Sequence, residues 1–259
     1  MINFFRRIRK QLADDNKPLK YARYAIGEIL LVVIGILIAL SINNWNEARK
    51  NLKIEIRYLN ALKSEFAQNL VIANESIENY KIMKSSSEKL LKLTGEKRMV
   101  IAEMELAPLI AGSVKNTSRY IPSPGILQDL INSGNLASLS NETLRIQLSE
   151  WFVILENAKR QEEDTFEHRK AIIELLIFHV PFLNILRDDG TGNVYEELSY
   201  GSNFQGDIRD ILNDRQFENR LTLYIVTLWN ASDNHYNAIK LHSERILANI
   251  ENEIIAIQK

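Results

Sequence analysis

Hydrophobic and polar positions fall along this chain in two distinct regimes. From Ile29 to Leu40 no polar side chain occurs, and from Ile26 to Ile42 the apolar run is broken only by Gly27, Glu28, Gly35 and Ser41. A helix needs about 20 mostly apolar residues to cross the hydrocarbon core of a bilayer. Residues 24–45 meet that length if Glu28 lies near one interface and Asn43, Asn44 and Trp45 lie at the other. The expectation is a transmembrane helix lying in the lipid bilayer.

Beyond residue 46 the pattern changes to helical spacing. Leu52, Ile56, Leu59, Leu62, Phe66, Leu70, Ala73, Ile77, Tyr80, Met83, Leu90 and Leu91 follow one another mostly at intervals of three and four, with no Pro or Gly before Gly95. This predicts a long amphipathic helix continuous with the span and stopped at Thr94-Gly95. A shorter helix is expected around Met99 to Ala111, with Pro108 inside or ending it. The run Tyr120-Ile121-Pro122-Ser123-Pro124-Gly125 predicts a stiff loop. A further short helix, interrupted near Ser133-Gly134, leads to a cap at Ser140-Asn141-Glu142-Thr143. There a second long stripe begins: Leu144, Leu148, Trp151, Phe152, Leu155, Ala158, Phe166, Ile172, Ile173, Leu176 and Val180 are expected to face inward, with Pro181 as the stop. After a polar loop over 187–205, Asp207 or Asp214 opens the last helix, whose stripe runs from Phe217 through Leu221, Tyr224, Leu228, Ala231, Ile239, His242, Ile246 and Ile250 to Ile254.

Three helices of about 40 residues can bury their stripes only against one another. The fold expected is therefore all-α: one N-terminal transmembrane helix followed by an elongated antiparallel helical bundle. The implied division is 1–23 as a basic amphipathic arm, 24–45 as the span and 46–259 as the bundle.

Charge places these parts about the membrane. Arg6, Arg7, Arg9, Lys10, Lys17, Lys20 and Arg23 precede the span, and only Arg49, Lys50, Lys53 and Arg57 closely follow it. The bias in Lys and Arg predicts a cytoplasmic N-terminus and an outer body. Ala39-Leu40-Ser41 resembles a signal-peptide processing site, but a 23-residue charged leader, Glu28 and the Asn43-Asn44-Trp45 belt favour retention of the span. The body carries a mild negative excess, which argues against nucleic acid as a partner.

Within the span, Gly35 and Ala39 stand four apart and Gly27 lies on the same stripe, a face small enough for close approach of a second copy. Gly and Ala are also simply common in spans, so homo-oligomerisation through this face is an open alternative. Glu28, a carboxylate about one turn inside the apolar boundary, is either a contact in an assembly or an interfacial residue eased by Lys20 and Arg23.

The stretch from Lys17 to Lys50, KPLKYARYAIGEILLVVIGILIALSINNWNEARK, resembles the anchor of a large family of single-pass membrane proteins of Bacteroidota, written Y-A-x-G-E-I-x-L-V-V-x-G-I-L-I-A-L-x-I-N-N-W-N-E. A looser likeness runs from Leu127 to Leu148. The resemblance implies an anchored helical protein in a Gram-negative inner membrane, where the outer body expected from the Lys and Arg bias would be periplasmic, and it brings no catalytic residue.

Chemistry-bearing motifs are sparse. The chain has no Cys, and its four His (His168, His179, His235 and His242) form no ligand pair of familiar spacing, so neither metal nor cofactor is expected. In Asp188-Asp189-Gly190-Thr191-Gly192-Asn193, taking Asp189 as first ligand puts Val194 where a calcium loop needs Gly, and a polar turn is preferred. The mixed-sign run Glu156 to Lys170 suits a solvated helix face, where Glu156 can pair with Arg160. A ligand belt flanked by Trp151, Phe166 and Trp229 is the alternative. The function expected is a non-enzymatic interaction or sensory scaffold with an unknown protein partner. The second reading is an accessory subunit of a membrane complex that uses Glu28.

Overall fold

The computed structural model describes residues 18–95, 101–114, 119–123, 125–188 and 200–258. The arm over 1–17 and the Asp189 to Asn193 part of the polar loop lie outside the described residues. The chain divides into two units, Met1–Arg57 and Tyr58–Lys259.

Helix α1, Pro18–Leu91, is a single helix of 74 residues that contributes to both. Pro18 stands at its first position, where a missing N–H costs nothing, and no proline follows before Pro108. In the first unit its apolar side chains from Ile26 to Ile42 are exposed. The hydroxyl of Ser41 donates to the Leu37 carbonyl at 2.8 Å, so this polar group is satisfied within the helix itself. Among the described residues this is the one helix long and apolar enough to cross a membrane.

The second unit is a bundle of four legs, with no strand among its described residues. The first leg is the remainder of α1, which buries Leu59, Leu62, Phe66, Ala73, Tyr80, Met83 and Leu90. Leu52 is exposed and Ile56 half-buried, so the inward stripe starts later than its spacing suggests. The helix ends where expected: Thr94 Oγ1 takes up the Leu91 carbonyl, and Gly95, at φ 104°, turns the chain so that its N–H reaches the Leu212 carbonyl at 2.9 Å.

The second leg is built in pieces: α2 (Glu103–Val114), an extended stretch over 119–123, α3 (Gly125–Asn132) and a 3₁₀ turn (Asn135–Ser138). Its direction is read from its partners on α1. Ser113 meets Ser87, Ser123 meets Asn69, Ile126 meets Glu65 and Asn135 meets Tyr58, so one numbering rises as the other falls. Pro122 contributes to the segmentation, since it disfavours helical backbone at Ile121 within the extended stretch. Gly134, at φ 71°, then separates α3 from the 3₁₀ turn.

The third leg, α4 (Glu142–His179), is capped by Asn141, whose side chain accepts the Leu144 N–H at 3.0 Å. It runs antiparallel to the second leg, with Glu162 at Tyr120 and Arg169 at Val114. Val180 closes α4, and Pro181 caps the one-turn helix α5 (Phe182–Arg187). Asp207 caps a 3₁₀ segment, Ile208–Asn213, and Asp214 caps α6 (Arg215–Trp229), so both candidate starts are used.

The fourth leg comprises α6, a π-helical segment (Asn230–Tyr236) and α7 (Asn237–Gln258). It descends along α4, with Thr227 at Gln161 and Asn249 at Gln147. Consecutive legs are thus antiparallel, as expected, but four legs share the core where three long helices were expected. The π segment is also new. An α-helical stripe leaving Ala231 arrives at His235, whereas the wider turn buries Tyr236 completely.

Candidate functional site

Two regions of the described chain are candidates for a functional site. The first is the apolar part of α1. Gly27, Gly35 and Ala39 are exposed there, and a Cβ placed on either glycine would have nothing within 4 Å. Glu28 is half-buried. Trp45 is exposed, and the Arg49 guanidinium lies 5.7 Å from the centre of its ring. These positions offer small side chains and a carboxylate on an otherwise apolar surface, with no chemistry beyond packing and charge.

The second region is a pocket of about 350 Å³ in the middle of the bundle, between α1, the extended stretch 119–123, α4 and α6. Its floor is formed by Tyr80, Met83 and Tyr224, supplied by the inward stripes of α1 and α6. Its rim comes from Arg119 and Ile121 on the extended stretch and from Lys159, Glu163, Phe166 and Arg169 on α4.

The tyrosines around it are fixed donors. Tyr224 Oη donates to the Ser113 carbonyl at 3.0 Å, Tyr120 Oη to the Asn69 carbonyl at 3.2 Å, and Tyr236 Oη to Glu162 Oε1. Burial pushes the Tyr80 phenol up to about 12 and raises Tyr120, Tyr224 and Tyr236 as well, so all four stay protonated at physiological pH. Glu162 Oε1 also accepts the Tyr120 N–H at 2.8 Å, which ties the extended stretch to α4.

Arg169 is differently placed. Its Nη1 donates to the Val114 carbonyl at 2.5 Å, while its Nε is buried with no hydrogen-bond partner. Its guanidinium lies 5.6 Å from the Phe166 ring centre and that of Arg119 lies 5.9 Å from the same ring. Phe166, expected in the core, is more than a third exposed and forms a pocket wall beside both cations.

Of the three aromatic residues expected to flank a ligand belt, only Phe166 lines this pocket. Trp151 is in the core against Phe66 at 5.0 Å and Trp229 is half exposed. The Glu156 to Lys170 run does contribute to the pocket, and within it Arg160 donates to Asn157 in place of Glu156. His242 is a satisfied core residue, bonded to the Gln147 carbonyl at 2.8 Å and stacked on Trp151. His179 pairs with Asp214 at 2.9 Å. Among the described residues no group of His and carboxylates could hold a metal ion.

The family model described as a family of unknown function, DUF6090, matches residues 28–157, just over half of the chain. The chain belongs to DUF6090. No curated protein and no solved structure matches it. The DUF6090 match opens at Glu28 and closes at Asn157, within α4. It therefore takes in Tyr80, Arg119 and Tyr120 of the pocket and stops before Lys159, Phe166, Arg169 and Tyr224.

Sequence reasoning missed Arg119, Arg169 and Glu65. Glu65 is buried, and its carboxylate accepts the Ile126 N–H at 2.5 Å and the Leu127 N–H at 3.4 Å, taking up the free donors that open α3. Desolvation raises its carboxyl above the ordinary 4.5, against the lowering by those two N–H groups. A carboxyl raised in the fold stabilises it below the unfolded value and loses that contribution as pH rises through the folded one. Relative to Glu65→Gln, the parent protein should therefore lose stability from pH 4.5 upward. Urea midpoints of both proteins at pH 4.5 and pH 7 test this, and a relative gain by the parent would reverse the assignment.

Proposed function

We propose that this DUF6090 chain is a membrane-anchored, non-enzymatic helical scaffold for interaction or sensing. Residues 24–45 would lie in the inner membrane of a Gram-negative cell, with 1–23 cytoplasmic and 46–259 periplasmic. The observation carrying this reading is that one helix, α1, bears both an exposed apolar run from Ile26 to Ile42 and seven wholly buried core positions of the bundle. An exposed apolar run of this length in water is a liability, whereas lipid removes its cost. The Lys and Arg excess before the run supports the orientation.

The test is carbonate washing of membranes followed by protease treatment of intact spheroplasts. The chain is expected to stay with the membrane and to lose its body to the protease. Release by carbonate, or a protected body, would sink the reading.

A second reading, an accessory subunit of a membrane complex, is favoured by Glu28, a half-buried carboxylate at the edge of the apolar run. Glu28→Gln separates the two. Unchanged partner recovery after mild detergent extraction is expected for the scaffold, and loss of the complex for the accessory subunit.

A further inference from the structure

Two guanidinium groups lie beside one aromatic ring in this pocket, at 5.9 Å and 5.6 Å from its centre. Among the described residues neither Arg119 nor Arg169 has an ion-pair partner, although three carboxylates line the same pocket. Glu162 is engaged by the Tyr120 N–H and the Tyr236 hydroxyl. The exposed Glu163 and Glu167 come within 4 Å of neither guanidinium. Arg169 in addition keeps a buried Nε–H without an acceptor, a group whose desolvation is costly unless something accepts from it.

We propose that this pocket binds a small organic anion, its carboxylate or phosphate monoester held between Arg119 and Arg169 and its apolar part lying on Phe166, Met83 and Tyr80. Guanidinium is the group suited to such anions, because its planar fork offers two parallel donors and its face packs on an aromatic ring. At about 350 Å³ the cavity is at the small end of ligand pockets, which limits the ligand to metabolite size. On the floor the Tyr224 hydroxyl is occupied by the Ser113 carbonyl and Met83 is apolar, so recognition of charge falls to the rim, to the two arginines with Lys159 beside them.

The inference is independent of the membrane reading, since a chain released by carbonate would carry the same pocket. It is tested on the full chain in detergent micelles by calorimetric titration with phenyl phosphate and with phenylacetate, each at millimolar concentration. Benzyl alcohol and inorganic phosphate serve as controls. Binding of at least one aromatic anion is expected, with no binding of benzyl alcohol; the stronger of the two names the headgroup, and weaker binding of inorganic phosphate shows the apolar floor contributing. Arg119→Gln and Arg169→Gln should each weaken that binding by roughly ten- to a hundredfold. Arg119 is exposed, so its variant remains informative if Arg169→Gln fails to fold. Failure of both aromatic anions to bind, equal binding of benzyl alcohol, or unchanged affinity in Arg119→Gln would overturn the proposal.

Discussion

Trp151→Ala is expected to cost about 3–5 kcal/mol of folding stability, a third or more of what a domain of this kind has to lose. Trp151 is 1% exposed on α4, edge-on to Phe66 of the first leg at 5.0 Å and to Tyr120 of the second at 6.4 Å, and stacked on His242 of the fourth. One side chain therefore joins all four legs. Truncation removes the apolar area of an indole and leaves a cavity that four separately anchored backbones cannot all close. The measurement is the urea midpoint of the full chain in detergent. Trp229→Ala, at a half-exposed position, serves as control and should shift stability by no more than about 0.5 kcal/mol. Equal losses in the two variants would show that Trp151 does not hold the legs together.

Asn69→Ala should cost about 2–3 kcal/mol through a different mechanism, the orphaning of backbone groups. Asn69 is wholly buried, accepts the Ser123 N–H at 2.9 Å and donates to the Ser123 carbonyl at 3.2 Å. The stretch 119–123 belongs to no helix, so these two bonds replace the ladder it lacks. Its neighbour Tyr120 reaches the Asn69 carbonyl through its hydroxyl, which fixes the stretch a third time. Because Arg119 and Ile121 form the rim of the pocket, the variant should also weaken anion binding. Hydrogen exchange is the second readout. Faster exchange confined to 119–132 is expected, and uniform acceleration over the bundle would contradict the local latch.

The long helices were legible because each one repeats a spacing over many turns, and a period of 3.6 cannot be mistaken over forty residues. Their ends were legible because caps are local chemistry, as at Asn141, Asp214 and Gly95. The second leg was legible only in pieces. Its direction depends on which residues of α1 it meets, and Glu65 and Asn69 look in the sequence like solvated polar positions until α3 and the 119–123 stretch arrive beside them. The pocket was half visible. The charged run on α4 is plain to see, but Arg119 lies about forty residues away in sequence and is brought to Phe166 only by the fold. Phe166 fits the inward stripe by spacing, yet it is more than a third exposed, with the guanidinium groups of Arg169 and Arg119 at 5.6 Å and 5.9 Å from its ring centre. Tyr236 was missed for a reason of register, since a fixed period passes from Ala231 to His235.

That register matters beyond one tyrosine. The Asn230–Tyr236 turn is held by bonds inside it, Asn234 to Asn230 at 2.6 Å and Ser232 to Asp233 at 3.0 Å. By taking in one residue more than an α turn it brings Tyr236 to the inward face and keeps the buried positions of α7 in line with those of α6. The stripe of α6 that floors the pocket and the stripe of α7 that meets Trp151 are therefore two halves of one inward face, written in two registers of the sequence. Loss of a single residue within that turn would close it to α-helical spacing and leave Tyr236, Ile239, His242, Ile246 and Ile250 on the inward face, so this turn should tolerate a deletion that elsewhere in the bundle would swing a whole stripe out of the core.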